Sequence, residues 1–200
     1  MTALPRDVTL RSTDAGWTRE LWEQLPDDGN RYEIIDGVLY VSTAPSAYHQ
    51  WILQELLAEL RQQLVLPGIG LGFVAPIGVF MPGAEPVQPD LLVVRSEARG
   101  IIRDRRIYGA PALIAEILSP SNIDTDLVVK YAAYARVGVP EYWVVRPSER
   151  DILVHNDPDP ALGRYRQTAR VAPEGELIAR TLPCRARIAP FVSGAPDTTL

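Results

Sequence analysis

The chain has 200 residues, of which 46% are hydrophobic and 22% are charged, and its net charge at pH 7 is −5. This length fits one domain, and the acidic balance excludes a histone-like protein that binds nucleic acid through overall positive charge, while leaving room for a local basic cleft. The single cysteine, Cys184, excludes an internal disulfide and a thiolate zinc cluster, and the lack of any apolar run near the ~18 residues of a membrane span leads us to expect a soluble, cytoplasmic protein.

The N-terminal half shows the patterns of short strands and two helices. In chain order it is predicted to form a helix, a hairpin, a second helix and a strand, at 19–25, 31–42, 46–64 and 70–80. Thr18 can cap the first helix, and Asp36-Gly37 is typical of a hairpin turn. Pro76 predicts a sheet edge or a bulge in the strand that contains it, because proline cannot donate a ladder hydrogen bond.

The C-terminal half continues with strands around one helix. The predicted elements are strands at 87–95 and 111–119, a helix at 122–138, strands at 140–147 and 151–156, and weaker strands at 163–171 and 175–179. The helix joins two of these strands in a strand–helix–strand step, so we expect that pair to be parallel. No interdomain linker is visible, and the mixture of elements predicts a single α/β or α+β domain with a mixed sheet.

Three charged residues stand where apolar ones are expected. Glu116 lies in the middle of the buried strand PALIAEILS, where a carboxylate costs several kcal/mol unless it is paired, hydrogen-bonded or bound to metal. Lys130 shares a helix face with apolar side chains, and the opposite stripe, which includes Val128, is apolar too, so this helix is predicted to be buried nearly all round. Asp90 begins the strand DLLVV, at the mouth of a predicted central strand.

These three residues together have the chemistry of a phosphodiester hydrolase. Two carboxylates on neighbouring strands are oxygen ligands of the kind that Mg²⁺ prefers. An ammonium beside them can orient the attacking water or stabilise the negative charge that builds on the phosphate. A structural ion pair between Glu116 and Lys130 is the alternative, and Asp90 at a third position favours the metal site.

The same residues carry a family resemblance. The segments QPDLLVV, AEILSPS and DLVVKYAAYARVGVPEYWVV, with 26 positions from Asp90 to Glu116, resemble the Uma family of predicted restriction endonucleases, in the PD-(D/E)xK nuclease superfamily. The resemblance extends upstream through RYEIIDGVLYVS and HQWILQELLAEL. It implies a restriction endonuclease-like core with a central mixed sheet flanked by helices. It further implies that Asp90 and Glu116 bind the metal, that Glu33 is the acidic residue of the N-terminal part of the site, and that Lys130 is the active-site lysine.

Length and composition predict the extent of the domain and its tail, and the resemblance adds the extent of the core. The chain is expected to be one domain, 1–200, with a nuclease-like core at 17–155, a strand-rich C-terminal extension at 156–192 and a disordered tail at 193–200. Two positions depart from the pattern. Leu118 occupies the place of the superfamily lysine, two residues after Glu116, and Arg146 stands where family members often have an acidic residue.

The implied function is a Mg²⁺- or Mn²⁺-dependent endonuclease that hydrolyses phosphodiester bonds, with DNA as the expected substrate. The alternative is a catalytically inactive protein of the same fold that binds nucleic acid or a protein partner. A homodimer is expected, because enzymes that cut both strands of a duplex often use one subunit for each strand. His49 is predicted to be a capping or surface residue and not a ligand.

Overall fold

The computed structural model describes residues 9–189, so the predicted tail at 193–200 lies outside the described residues. Strands β1 to β9 span Thr9–Arg11, Arg31–Ile35, Val38–Ser42, Gly70–Val74, Val79–Met81, Ala84–Val87, Leu91–Arg95, Ile102–Arg103 and Arg106–Tyr108. Strands β10 to β15 span Leu113–Ile117, Glu141–Arg146, Asp151–Asp159, Arg164–Val171, Glu176–Ile178 and Arg185–Arg187. The helices α1, α2 and α3 span Arg19–Trp22, Ala47–Leu60 and Tyr131–Arg136. Other helical turns are π-helical at Arg61–Val65 and Thr125–Lys130 and 3₁₀ at Ser96–Ile101.

The strands form two large sheets and one small hairpin. A six-stranded sheet has the order β13-β12-β11-β10-β7-β4, and a seven-stranded sheet has the order β1-β3-β2-β6-β5-β9-β8. In the six-stranded sheet, β10 and β11 are parallel and the other pairs are antiparallel. The predicted parallel pair and the mixed α+β class are thereby confirmed.

The six-stranded sheet is buried on both faces. On β7, Leu91 and Val93 pack into a core with α2, whereas Leu92 and Val94 pack into a second core with the seven-stranded sheet and α3. Successive residues of a strand point to opposite faces, and here both faces pack against an apolar layer. This explains why the sequences of β7 and β10 are continuous apolar runs. Glu116 interrupts this pattern on the face shared with the second core.

Some segments differ from the prediction. The segment predicted as one strand at 70–80 divides into β4, at the edge of the six-stranded sheet, and β5, in the seven-stranded sheet. The predicted burial of the 122–138 helix nearly all round is wrong, because Val128 is 61% exposed. The strands β8, β9 and β15 are too short for their alternation to be recognised in the sequence. Within residues 9–189, no helix has the length and apolar character needed to cross a membrane.

Candidate active site at the ends of β7 and β10

The fold brings the four candidate residues into one buried cluster. Glu33 lies on β2, Asp90 directly precedes β7, Glu116 lies on β10, and Lys130 ends the π-helical turn before α3. Because Leu91 is paired with Ala115, Asp90 and Glu116 lie side by side at the same end of neighbouring strands. The backbone N–H of Asp90 donates to Glu116 Oε2 at 3.3 Å. All four residues are buried.

Lys130 is the centre of this cluster. Its Nζ lies 3.0 Å from Glu33 Oε2, 3.0 Å from Glu116 Oε1 and 3.3 Å from Asp126 Oδ1. The Tyr134 hydroxyl donates to the same Glu116 oxygen at 2.9 Å. Burial alone would lower the pKa of Lys130, but the surrounding carboxylates raise it well above its ordinary value. Lys130 is therefore a charged ammonium held among three acids.

Asp90 has its own pair of basic partners. Arg31 donates to Oδ1 at 2.8 Å, His49 Nε2 lies 3.0 Å from Oδ2, and the backbone N–H of Ile117 donates to Oδ2 at 2.9 Å. Burial alone would raise the pKa of Asp90, but the charge of Arg31 and the hydrogen bonds with the His49 side chain and the Ile117 backbone lower it below its ordinary value. Asp90 is therefore ionised at neutral pH.

His49 and Arg31 are site residues that the sequence analysis missed. The prediction of a capping or surface role for His49 is wrong, because its side chain is buried and contacts Asp90, while Ser46 caps the helix by accepting from the His49 backbone N–H at 3.1 Å. The position of Arg31 two residues before Glu33 was a usable signal, since alternate residues of a strand share a face. For His49 the sequence carries no such signal.

Asp126 is a third residue that the sequence analysis missed, although it lies four positions before Lys130 on the same helical face. Its side chain is fully buried, and neither of its carboxylate oxygens accepts a hydrogen bond. Burial raises the pKa of Asp126 to about 6, and the charges of Asp90 and Glu33 add to the rise. The charge of Lys130 opposes it. Burial likewise raises the pKa of Glu116 well above its ordinary value. The positive charge near Asp126 and Glu116 therefore does not offset the cost of burying both carboxylates in their ionised form.

The charges of the cluster do not balance. Its carboxylates outnumber its permanent cations by two; the carboxylates are Glu33, Asp90, Glu116 and Asp126, and the cations are Arg31 and Lys130. The excess and the all-oxygen donor set fit a divalent cation such as Mg²⁺. Within residues 9–189, no three histidine, cysteine or acidic side chains already surround a common point that could hold a metal ion. The assignment of Asp90 and Glu116 as ligands stays a prediction.

The two departures from the family pattern have local explanations. Leu118 is half-buried and packs at the margin of the second core, so the ammonium nearest to Glu116 comes from Lys130 on the helix. Arg146 donates from two nitrogens to both oxygens of Asp151, each at 2.7 Å. Arg146 therefore belongs to a separate ion pair on β11 and β12.

Comparisons with known proteins place this arrangement in a family. The Uma2 family model, described as "Putative restriction endonuclease", matches residues 19–189. A solved structure described as a "putative nuclease belonging to DUF820" from Anabaena variabilis has 18% identity and a TM-score of 0.73, and the match covers 88% of this chain and 97% of that one. A comparison with curated proteins gives no match. The structural likeness confirms the predicted restriction endonuclease-like fold, and the family match shows that the chain belongs to the Uma2 family.

Proposed function

We propose that the protein is a divalent-metal-dependent nuclease that hydrolyses phosphodiester bonds in DNA. The observation that carries this proposal is the buried excess of carboxylates over cations at one end of β7 and β10. Such an excess is costly unless a cation or protons balance it. Membership of a family described as restriction endonucleases supports the nuclease class.

Asp90 and Glu116 are the residues that would hold Mg²⁺ or Mn²⁺. They lie on neighbouring strands, and each carboxylate contacts three donors, which leaves one lone pair on Asp90 Oδ1 and one on Glu116 Oε2 for a cation. When bound, a divalent cation supplies positive charge that polarises the phosphoryl oxygen and offsets the charge developing on it.

The remaining charged residues would act on the substrate and on Lys130. Glu33 accepts from the Gln88 backbone N–H at 2.7 Å and contacts Lys130 through its other oxygen, so it fixes the ammonium next to Glu116. Lys130 can stabilise negative charge on the phosphate. The Arg31 side chain is 17% exposed, more than any other charged side chain of the cluster, so an incoming phosphate would meet Arg31 first.

A second candidate function is favoured by the three carboxylates that surround Lys130. Its ammonium has three hydrogens and three carboxylates within 3.3 Å. An ammonium engaged in this way cannot reach a phosphate without releasing one of these acids. The second candidate is therefore a protein of the same fold that binds nucleic acid or a protein partner without cutting.

A cleavage assay separates the two functions. The purified protein is incubated with Mg²⁺ or Mn²⁺ and with supercoiled DNA, linear duplex, single-stranded DNA and RNA. We expect metal-dependent cleavage of DNA by the wild type and by Asp36→Asn, which alters an exposed acid, and none by Glu116→Gln. Binding without cleavage of any of these substrates would favour the second candidate.

The proposed enzyme is a cytoplasmic homodimer. A duplex has two strands of opposite polarity, and a two-fold dimer presents one site to each of them. Cys184 is free and buried, which suits a reducing compartment. Light scattering in the presence and absence of duplex DNA tests the dimer, and a monomer under both conditions would contradict it.

A further inference from the structure

A small polar cavity lies beside the acid cluster. Its volume is about 30 Å³, and its lining includes Arg31, His49, Asp126 and Lys130. A cavity needs roughly 10–15 Å³ to hold one water molecule, so this one has room for one or two waters and for nothing as large as a nucleotide. Any occupant that lies wholly inside it is therefore a small molecule or an ion.

One wall of the cavity belongs to a histidine with an unused ring nitrogen. His49 Nε2 lies 3.0 Å from Asp90 Oδ2, and because an ionised carboxylate can only accept, Nε2 carries the hydrogen and donates it. In the neutral ring this leaves Nδ1 as an acceptor. Nδ1 is buried and has no hydrogen-bond partner among the described residues.

Another wall belongs to a carboxylate without hydrogen bonds. Asp126 is fully buried, and the only basic side chain within 4 Å of it among the described residues is Lys130, whose ammonium lies 3.3 Å from Oδ1. Buried polar atoms in native proteins almost always have a protein or water partner. The residues that carry these atoms without hydrogen bonds, His49 and Asp126, line the same cavity, and both sets of atoms are acceptors when the His49 ring is neutral. The missing occupant is thus a hydrogen-bond donor.

We propose that this cavity binds the water molecule that phosphodiester hydrolysis consumes, with His49 Nδ1 and Asp126 each accepting one of its hydrogens. This inference rests on the proposed nuclease function. Directing both hydrogens toward the protein leaves the lone pairs of the water for the phosphate. Its oxygen forms the new bond to phosphorus, and the bond from phosphorus to the leaving ester oxygen breaks. The surplus proton of the water passes to the group that accepts it and from there to solvent, and the leaving oxygen takes up a proton from solvent. His49 and Asp126 position the nucleophile.

Two substitutions of His49 separate this role from its contact with Asp90. The amide nitrogen of glutamine in His49→Gln can reach the place of Nε2 and still donate to Asp90, but the Nδ1 acceptor is lost. His49→Asn keeps a polar group near the place of Nδ1 and loses the contact with Asp90. We expect His49→Gln to keep Mn²⁺ affinity by calorimetry and KM for DNA, while kcat falls about a hundredfold, the cost of a misplaced reacting group. We expect His49→Asn to weaken Mn²⁺ binding.

Asp126→Asn provides the second test at the opposite wall. Replacing one acceptor oxygen with a donor should lower kcat by a similar factor and leave Mn²⁺ affinity unchanged. Loss of Mn²⁺ affinity in this variant would make Asp126 a metal ligand and would overturn the water site. An unchanged kcat in both Asp126→Asn and His49→Gln, with the wild type active, would overturn it as well.

A crystal structure of the wild type supplies a readout that does not depend on activity. We expect an ordered water about 3 Å from both His49 Nδ1 and an Asp126 oxygen. An empty cavity, or a metal ion in it, would contradict the inference. Absence of cleavage by the wild type on every substrate would instead overturn the proposed nuclease function, so the two failures are distinguishable.

Discussion

Lys130 Nζ lies 3.0 Å from Glu116 Oε1, although the two residues are 14 positions apart and belong to different elements. The contact is part of a larger arrangement, since the same ammonium also contacts Glu33 and Asp126. One positive charge among three acids cannot neutralise them all. The cluster therefore differs from a simple buried ion pair, in which one charge meets one opposite charge.

Removal of one proposed ligand tests the metal site directly. Asp90→Asn should lower Mn²⁺ affinity in calorimetry by at least about tenfold, because the variant loses a charged oxygen ligand. Asp36→Asn is the matched control, since Asp36 is an exposed acid paired with Arg136 and lies outside the cluster. Equal affinities in wild type and Asp90→Asn would contradict the assignment of Asp90.

The sequence revealed the residues whose charge conflicts with their local pattern. Glu116 interrupts an apolar strand and Lys130 interrupts an apolar helix face, so both were visible without a structure. His49 was not visible, because a histidine in the first turn of an amphipathic helix has no unusual pattern. Only the packing of α2 near the end of β7 places it against Asp90. Such a tertiary contact has no local signature.

Burial of an acid does not by itself mark a functional site. Glu141 on β11 is also fully buried, but it accepts hydrogen bonds from the Trp143 indole, the backbone N–H groups of Arg180 and Thr181, and the Thr181 hydroxyl. These neutral donors satisfy Glu141 and tie the C-terminal segment to the sheet. Most of them lie some 40 positions downstream, so the sequence could not distinguish this acid from Asp126.

His155 should make the stability of the protein depend on pH. Burial lowers the pKa of His155 from 6.5 to about 4, so between these values the unfolded chain binds a proton that the folded one does not. The stabilisation is complete above pH 6.5, decreases as the pH falls, and is lost once the pH passes the folded value. The total loss is up to about 3 kcal/mol. Urea unfolding at a series of pH values measures it.

His155→Phe isolates this contribution from those of other acids and bases. The phenyl ring can keep the edge contact with Tyr131, whose ring centroid lies 4.9 Å from that of His155, but it cannot titrate. The difference in unfolding free energy between wild type and variant should therefore shift with pH only between about 4 and 6.5. A difference that stays constant over this range would show that His155 titrates alike in both states.

Cys184 should resist thiol reagents in the folded protein. Burial raises the pKa of its thiol to about 12, and the charge of Glu141 adds to the rise, so the reactive thiolate is scarce at pH 8. We expect a disulfide reagent to label native protein slowly and protein in urea at once, with Cys184→Ser as the unlabelled control. Rapid labelling without denaturant would mean that the C-terminal strands open readily.

Nucleic-acid binding should be sensitive to salt. The net charge of −5 opposes non-specific attraction, so any contact with phosphates must come from local cations such as Arg31. Binding at such cations releases counterions, and affinity should fall steeply as salt rises. Fluorescence anisotropy with duplex DNA in Ca²⁺ at several salt concentrations measures this slope. Affinity that does not change with salt would favour a protein partner.

Removal of the Lys130 charge tests whether the cluster is structural or catalytic. Lys130→Met leaves three buried acids without their ammonium and should destabilise the metal-free protein by about 3–5 kcal/mol. Arg136→Met is the control, because it breaks an exposed ion pair with Asp36 and should cost about 1 kcal/mol or less. Urea unfolding of both variants gives the comparison.

The response of Lys130→Met to Mg²⁺ decides whether the cluster is a catalytic metal site or a structural ion pair. If the acids form a metal site, a divalent cation replaces part of the missing positive charge, so Mg²⁺ should restore much of the lost stability while cleavage stays absent. Glu116→Gln should show the reverse pattern in the metal-free protein: removing one of the crowded acids relieves repulsion and preserves or raises stability, but Mg²⁺ then adds little. If Lys130→Met unfolds regardless of Mg²⁺, and Glu116→Gln binds metal like the wild type, the Lys130–Glu116 contact is structural and the nuclease assignment of this cluster is wrong.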